Sequence, residues 1–418
     1  MDLIRNFKID LYKNSIFQNI IFFSLIFMPV ALVAGPAVME TLIFVSCFSF
    51  LSLITIKEIK FHIDKKIIFI LSLYLIIIVI SSLISINPIV SLKSGVLSLR
   101  FFIFVLAGVF LLSNFEPGCK YLFYTYTCFI MFIAVDAFVQ YFYGYNFFLI
   151  EPIDETRITG FFGNEKKLGS YLVRFFPILI GLSIIFIKNK NFLILLVPAL
   201  ILFFLLFLTR ERITLVFFLI TIIYLTVYFW NEILKNMKVF ILFTVILISI
   251  PVLMHYFDVA GIKKRLVHTK KQITNDHEGL VFYSMQHQSF AKTSFEIFKS
   301  NKLFGSGIKS YRETCKQVKL SFKKNCSTHP HNVFFQLLAE TGLLGILFYL
   351  TFLFLVIKEL VLFFFCKNKR TPNVFFLLSF FFYFNPLFPS GQFFNNWYMG
   401  IGTFPLIFYF YFKLKKII

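Results

Sequence analysis

The chain reads Ser327-Thr328-His329-Pro330-His331-Asn332 and then turns apolar, Val333-Phe-Phe-Gln-Leu-Leu-Ala-Glu340-Thr-Gly342-Leu-Leu-Gly345. That stretch is a border. Behind it lies the one long polar segment of the sequence, about Asp258 to His331, and on either side of that segment the chain is almost wholly apolar. The polar segment holds His268, His277, His287, His329 and His331, five of the seven histidines, and carries 14 lysines and arginines against 5 acids, a formal +9. In a chain built of apolar runs, one large basic, histidine-rich loop is where chemistry is expected.

Working outward, 59% of the 418 residues are hydrophobic, 64 are Phe, and the mean hydropathy is +0.83. The apolar residues come in runs of roughly 20, the length that crosses a bilayer, and the ten-residue alternation of a β-barrel is absent. The sequence therefore predicts an all-α polytopic membrane protein whose surroundings are membrane lipids. The +21 net charge is no sign of a nucleic-acid partner, because cytoplasmic Lys and Arg fix the orientation of such proteins.

Hydropathy predicts twelve transmembrane helices, at roughly 16–34, 38–56, 66–86, 94–113, 120–143, 167–187, 192–209, 212–230, 238–257, 342–362, 373–389 and 395–413. The first is read as a retained span and not a cleaved signal, although Arg5, Lys8 and Lys13 precede it. Basic clusters follow alternate spans: Lys57, Lys60, Lys65 and Lys66; Lys188 and Lys190; Lys235 and Lys238; Lys367, Lys369 and Arg370; Lys413, Lys415 and Lys416. All fall on one side if both termini are cytoplasmic. The chain then divides into spans one to nine (1–257), a large external loop (258–341) and spans ten to twelve (342–418). Within the loop, Tyr283 to Phe298 has helical spacing, ended by Lys302-Leu-Phe-Gly-Ser-Gly307.

Cys315 and Cys326, with ten residues between them, share the external loop, where disulfides persist; a bridge would hold the chain just ahead of His329. Pro330 biases His329 away from helical geometry, and Asn332 is a good N-cap for a helix starting at Val333. His331 thus stands at a helix entrance, where a neutral imidazole can take a proton from a hydroxyl. Nearby cations are expected to lower its pKa. The plainer reading is that a histidine here only ties the turn to backbone, and it applies more to His329 than to His331. Cys326, His329, His331 and His287 are all metal-ligand types, but their spacing fits no zinc pattern, so no metal is expected.

Three arginines are expected at the outer face. Arg157 lies in Glu155-Thr-Arg157-Ile-Thr-Gly160-Phe-Phe-Gly163-Asn164-Glu165, and Arg210 and Arg212 flank Glu211 in the turn between spans seven and eight. Each could simply snorkel from a helix end. Together they suit a pyrophosphate, which calls for bidentate donors that stay charged. Arg100 and Arg174 fall inside predicted spans, where a charge is expensive and is paired or functional. Glu340 is placed to orient a substrate or a loop lysine.

The segment from Ser327 to Gly345 resembles the signature of the O-antigen ligase and polymerase superfamily. Lys302-Leu-Phe-Gly305-Ser-Gly307-Ile-Lys-Ser-Tyr311-Arg312 resembles the glycine-containing segment ahead of it. Thr209-Arg-Glu-Arg212 resembles a Ser-Arg element, and Arg157 to Leu168 resembles an Arg…Gly-x-x-x-Asn loop. The chain departs from the pattern at His287, where an arginine is common, at Lys302 for proline, and at Glu211 for serine. Arg312 or Arg265 could replace the missing arginine.

The resemblance implies a GT-C-like, inverting glycosyltransferase in the bacterial inner membrane, working at its periplasmic face without metal or cofactor. Its donor would be a glycan on undecaprenyl pyrophosphate, its acceptor a hydroxyl of lipid A-core (a ligase) or of another lipid-linked glycan (a polymerase). It also implies His331, Arg212 and Arg157 as catalytic, with Arg210, Arg312, Arg265, His329, Asn332, His287 and Glu340 binding substrate. A glycolipid transporter is the reading from another class, but it would more often bring an internal repeat and paired intramembrane charges.

Overall fold

The computed structural model describes residues 15–56, 65–152, 157–187, 192–275, 279–280, 283–318, 326–366, 368 and 370–415. Arg5, Lys8, Lys13, Lys57, Lys60, Glu155, Lys188, Lys190, His277, Lys367, Lys369 and Lys416 lie outside the described residues, as do the side chains of Lys66, Arg265 and His268.

Helix follows helix. The first half comprises α1 (Ile16–Ala34), α2 (Pro36–Thr55), α3 (Lys65–Leu83), α4 (Pro88–Leu97), α5 (Leu99–Asn114), α6 (Glu116–Tyr143), α7 (Leu168–Phe186), α8 (Leu193–Thr209) and α9 (Arg212–Tyr228). The second comprises α10 (Trp230–Lys235), α11 (Met237–Tyr256), α12 (Ile262–Ile273), α13 (Met285–Ser300), α14 (Tyr311–Gln317), α15 (Val333–Phe365), α16 (Asn373–Phe384), α17 (Asn396–Thr403) and α18 (Pro405–Leu414). The described strands are a two-residue antiparallel pair, Thr274–Asn275 with Gly279–Leu280.

Among the described residues, seven helices are long and apolar enough to cross a membrane: α1, α2, α4 and α5 taken together, α6, α7, α11 and α15. Four apolar helices are shorter: Ile68–Leu83 within α3, α8, α9 and α16. The stretch expected as the last span is divided at Phe404, ahead of Pro405, into α17 and α18. α16 stops at Phe384, short of the expected 389, because Asn385 precedes Pro386 and is extended (φ −74°, ψ 143°). Many apolar side chains face outward. On α11, Ile241, Val245, Ile248 and Val252 are each more than half exposed at one-turn intervals, a stripe that suits lipid.

α15 is broken at Gly342, whose backbone lies at φ 62°, ψ −156°. A break inside an apolar bundle strands backbone groups, and each costs free energy unless it finds a partner. The Lys302–Gly307 loop supplies the partners. Ser306 N and Gly307 N donate to the carbonyls of Ala339 and Glu340 (both 2.9 Å), while Leu343 N and Leu344 N donate to those of Lys302 (2.8 Å) and Leu303 (3.2 Å). Ser81 Oγ of α3 adds a bond to Glu340 O at 2.6 Å. The strands approach so closely that only glycine fits. A Cβ at Gly305 would lie 2.4 Å from the carbonyl carbon of Glu340, and one at Gly342 would lie 2.5 Å from Gly305 N.

α13 packs along α15 through Phe290, Thr293, Ser294 and Ile297, a single stripe at helical spacing. Phe295 is 49% exposed, since it lies about a third of a turn away from the stripe. Gly305→Ala should therefore lower thermal stability in detergent far more than Gly144→Ala. At Gly144 a Cβ meets nothing, and the substitution costs only left-handed backbone strain, about 1–2 kcal/mol. Equal melting temperatures for the two variants would contradict the pairing described here.

Candidate functional site

Asn332 caps α15: its Oδ1 accepts from Phe335 N (3.1 Å), and its Nδ2 donates to Pro386 O (2.8 Å). The cap thus joins the histidine motif to the segment after α16. Ser390 N donates to His331 O (2.9 Å) from the same segment, and Tyr283 Oη donates to Leu387 O (2.8 Å). His331 is held at φ 54°, a left-handed conformation that non-glycine residues adopt mainly where the surroundings enforce it. Cys315 of α14 and Cys326 are bridged, their Cα atoms 5.6 Å apart, so the chain entering the motif is tied to α14.

The His331 ring is surrounded by rings. Centroids of His329, Phe290 and His287 lie 4.1, 5.2 and 6.1 Å away. Its Nε2 faces the Ser327 hydroxyl at 3.4 Å, and His329 Nδ1 pairs with Thr328 Oγ1 at 2.9 Å. All three imidazoles are kept neutral. Burial pushes His331 below its ordinary 6.5; burial and then His331 push His329 down to about 3. His287 is lowered by burial first, then by His331 and Arg212. The cause expected for His331 was neighbouring cations; the structure assigns the effect to desolvation instead. Among the described residues, no three His, Cys, Asp or Glu side chains are grouped to hold a metal ion.

The arginines come from other elements. Gln140 of α6 accepts from Thr159 N and Gly160 N through Oε1 (both 2.8 Å) and fixes the loop that begins at Arg157. Ile158 N donates to Leu208 O (3.3 Å), laying this loop against the end of α8. Between the two stands Glu211, a partner the sequence reading left without a role. Its Oε1 accepts from Gly169 N (3.1 Å) and lies 3.7 Å from Arg157 Nη2, and its Oε2 accepts from Ser170 N (3.0 Å). Burial drives its carboxyl up to about 7, against the pull of Arg157, Gly169 N, Arg174 and Ser170 N. Acid between two arginines in a tight turn was the signal available in sequence. Arg212 begins α9 on the exposed side, close enough to His287 to depress it. Arg210 takes the left-handed conformation that ends α8 (φ 56°).

The remaining expected residues are spread more widely. Arg312 is exposed on α14. Glu340 is fully buried, bonded by Gln336 Nε2 (3.0 Å) and Tyr311 N (3.4 Å) and facing Lys309 electrostatically, a position that holds the glycine loop. Arg100 is paired with both oxygens of Glu40 at 2.7 Å. Arg174, 5% exposed, donates to Ser170 O (2.9 Å) and lies over the rings of Phe217 and Tyr398.

Residues 197–350 match the family model of the O-antigen ligase. The match runs from α8 through the polar loop to the broken α15, and it bears out the resemblance carried by the histidine motif. No curated protein matches the chain.

Peptide mass spectrometry of the alkylated, unreduced protein should find Cys315 linked to Cys326, with alkylating reagent on neither. Label on both would contradict the tie.

Proposed function

We propose that the protein is a membrane glycosyltransferase of the O-antigen ligase type. It would move a glycan from undecaprenyl pyrophosphate to a hydroxyl of lipid A-core at the periplasmic face of a bacterial inner membrane, with both termini cytoplasmic. The observation that carries this reading is a buried His331 packed against His287, whose own pKa Arg212 depresses, with His331, His287, Glu211 and Arg212 all inside the region that matches the O-antigen ligase family and Arg157 paired with Glu211. His331 Nε2 takes the proton of the acceptor hydroxyl. The freed oxygen attacks the anomeric carbon, the bond from that carbon to the pyrophosphate oxygen breaks, and the configuration inverts. The leaving pyrophosphate keeps the electron pair, and Arg157 and Arg212 stabilise its charge. His287 and His329 line the base, and Phe290 excludes water.

The polymerase is the alternative acceptor choice for the same chemistry. A deletion strain separates them: unligated lipid-linked polymer supports the ligase, and a single repeat unit on the core supports the polymerase. An unchanged lipopolysaccharide banding pattern contradicts both.

His331→Ala should lower transfer by about 10²–10⁴, and His329→Ala by less. Because burial holds the His331 pKa below 6.5, its protonation removes activity only as pH falls beneath that value. Robust turnover by purified His331→Ala would take the histidine out of the mechanism.

Charge-assisted contacts to a pyrophosphate contribute about 1.5–3 kcal/mol each. Arg157→Ala and Arg212→Ala should therefore each lose roughly 10- to 100-fold in rate while still inserting. Lysine should restore only part, since ammonium makes no bidentate contact. Full activity in both alanine variants would assign these arginines to anchoring.

A further inference from the structure

We propose that Glu211 is a positioning residue: its ionised carboxylate aims Arg157 at the donor by clamping that side chain to the start of α7. The inference rests on the glycosyl-transfer reading. Both carboxylate oxygens are engaged, Oε1 by Gly169 N and Arg157, Oε2 by Ser170 N. Three chain segments therefore meet on one acid: the 157–163 loop, the first turn of α7 and the turn between α8 and α9. The fit is tight, since a Cβ at Gly169 would lie 2.5 Å from Thr209 Oγ1 and 3.2 Å from Glu211 Oε1. The charged groups facing Glu211 are Arg157 from the loop and Arg174 from α7, with Arg210 and Arg212 as its chain neighbours.

An arginine that must meet a leaving pyrophosphate is useful only if its direction is fixed, and the Glu211 carboxylate is one of the groups that fixes it. Two helix N–H donors fix the carboxylate, and the carboxylate fixes the guanidinium. Protonating Glu211 loosens its hold on Arg157, because a neutral acid holds a cation weakly. Removing the negative charge does not weaken binding of an anionic donor, so the loss appears in kcat and not in KM.

The test is kcat and donor KM of the reconstituted full chain, on an undecaprenyl-pyrophosphate-linked glycan, from mildly alkaline to mildly acidic pH. Wild type should lose kcat as pH falls through about 7, where Glu211 takes its proton, above the limb of His331, which burial lowers from 6.5. Glu211→Gln should have kcat lowered on the order of 10- to 100-fold, lack the limb near 7 and show no rise in KM. Glu211→Asp, which keeps the charge, should recover part of kcat together with the limb. A wild-type kcat in Glu211→Gln, or an unshifted limb near 7, overturns the proposal while leaving transfer by His331 intact. If wild type turns over no lipid-linked donor, the transfer reading falls and the role of Glu211 with it.

Discussion

The site depends on a broken helix whose backbone is completed by a distant loop. At Gly342 the α15 ladder opens, and the Lys302–Gly307 segment donates to and accepts from the stranded groups on both sides of the opening. Four bonds to unpaired amides are worth little one by one in water. In an apolar bundle the alternative is unsatisfied peptide groups, so the exchange decides whether the break exists at all. It fixes where the loop returns to the bundle. From there α13 lies on α15 with Phe290 beneath His331, and α14 brings Cys315 to the chain that enters the histidine motif.

The polar end of the bundle is assembled from short pieces, each capped or clamped by one side chain. Asn332 ties the start of α15 to the segment after α16, Gln140 fixes the Arg157 loop, and Glu211 joins that loop to α7 and α9. The histidines sit where burial removes their charge, and the arginines sit where a carboxylate and helix termini direct theirs. That separation of a neutral base from fixed cations is what the proposed displacement requires: one group to accept a proton, others to receive the negative charge gained by the leaving pyrophosphate.

Consecutive residues were legible in the sequence. The polar loop, the Asn332 cap and the pairing of loop cysteines derive from neighbours in the chain, and the apolar stretches mark the bundle. Three things were not legible. The last two spans differ from their hydropathy bounds for local reasons: Asn385-Pro386 ends α16 early, and the final span is divided at Phe404 ahead of Pro405. Glu211 read as a departure from a motif because its partners, Gly169 and Ser170, lie more than 40 residues away. The lowered pKa of His331 was expected from cations but arises from desolvation by the rings around it, and burial of that kind is a property of packing that composition does not reveal.

The most direct measurement is the anomeric configuration of the product. Purified protein in lipid would be given an undecaprenyl-pyrophosphate-linked glycan of defined anomer and a hydroxyl acceptor, and the new linkage read by NMR. Direct displacement predicts a single, inverted anomer and one undecaprenyl pyrophosphate released per bond formed. A retained configuration would exclude back-side displacement by the activated hydroxyl and would contradict the account.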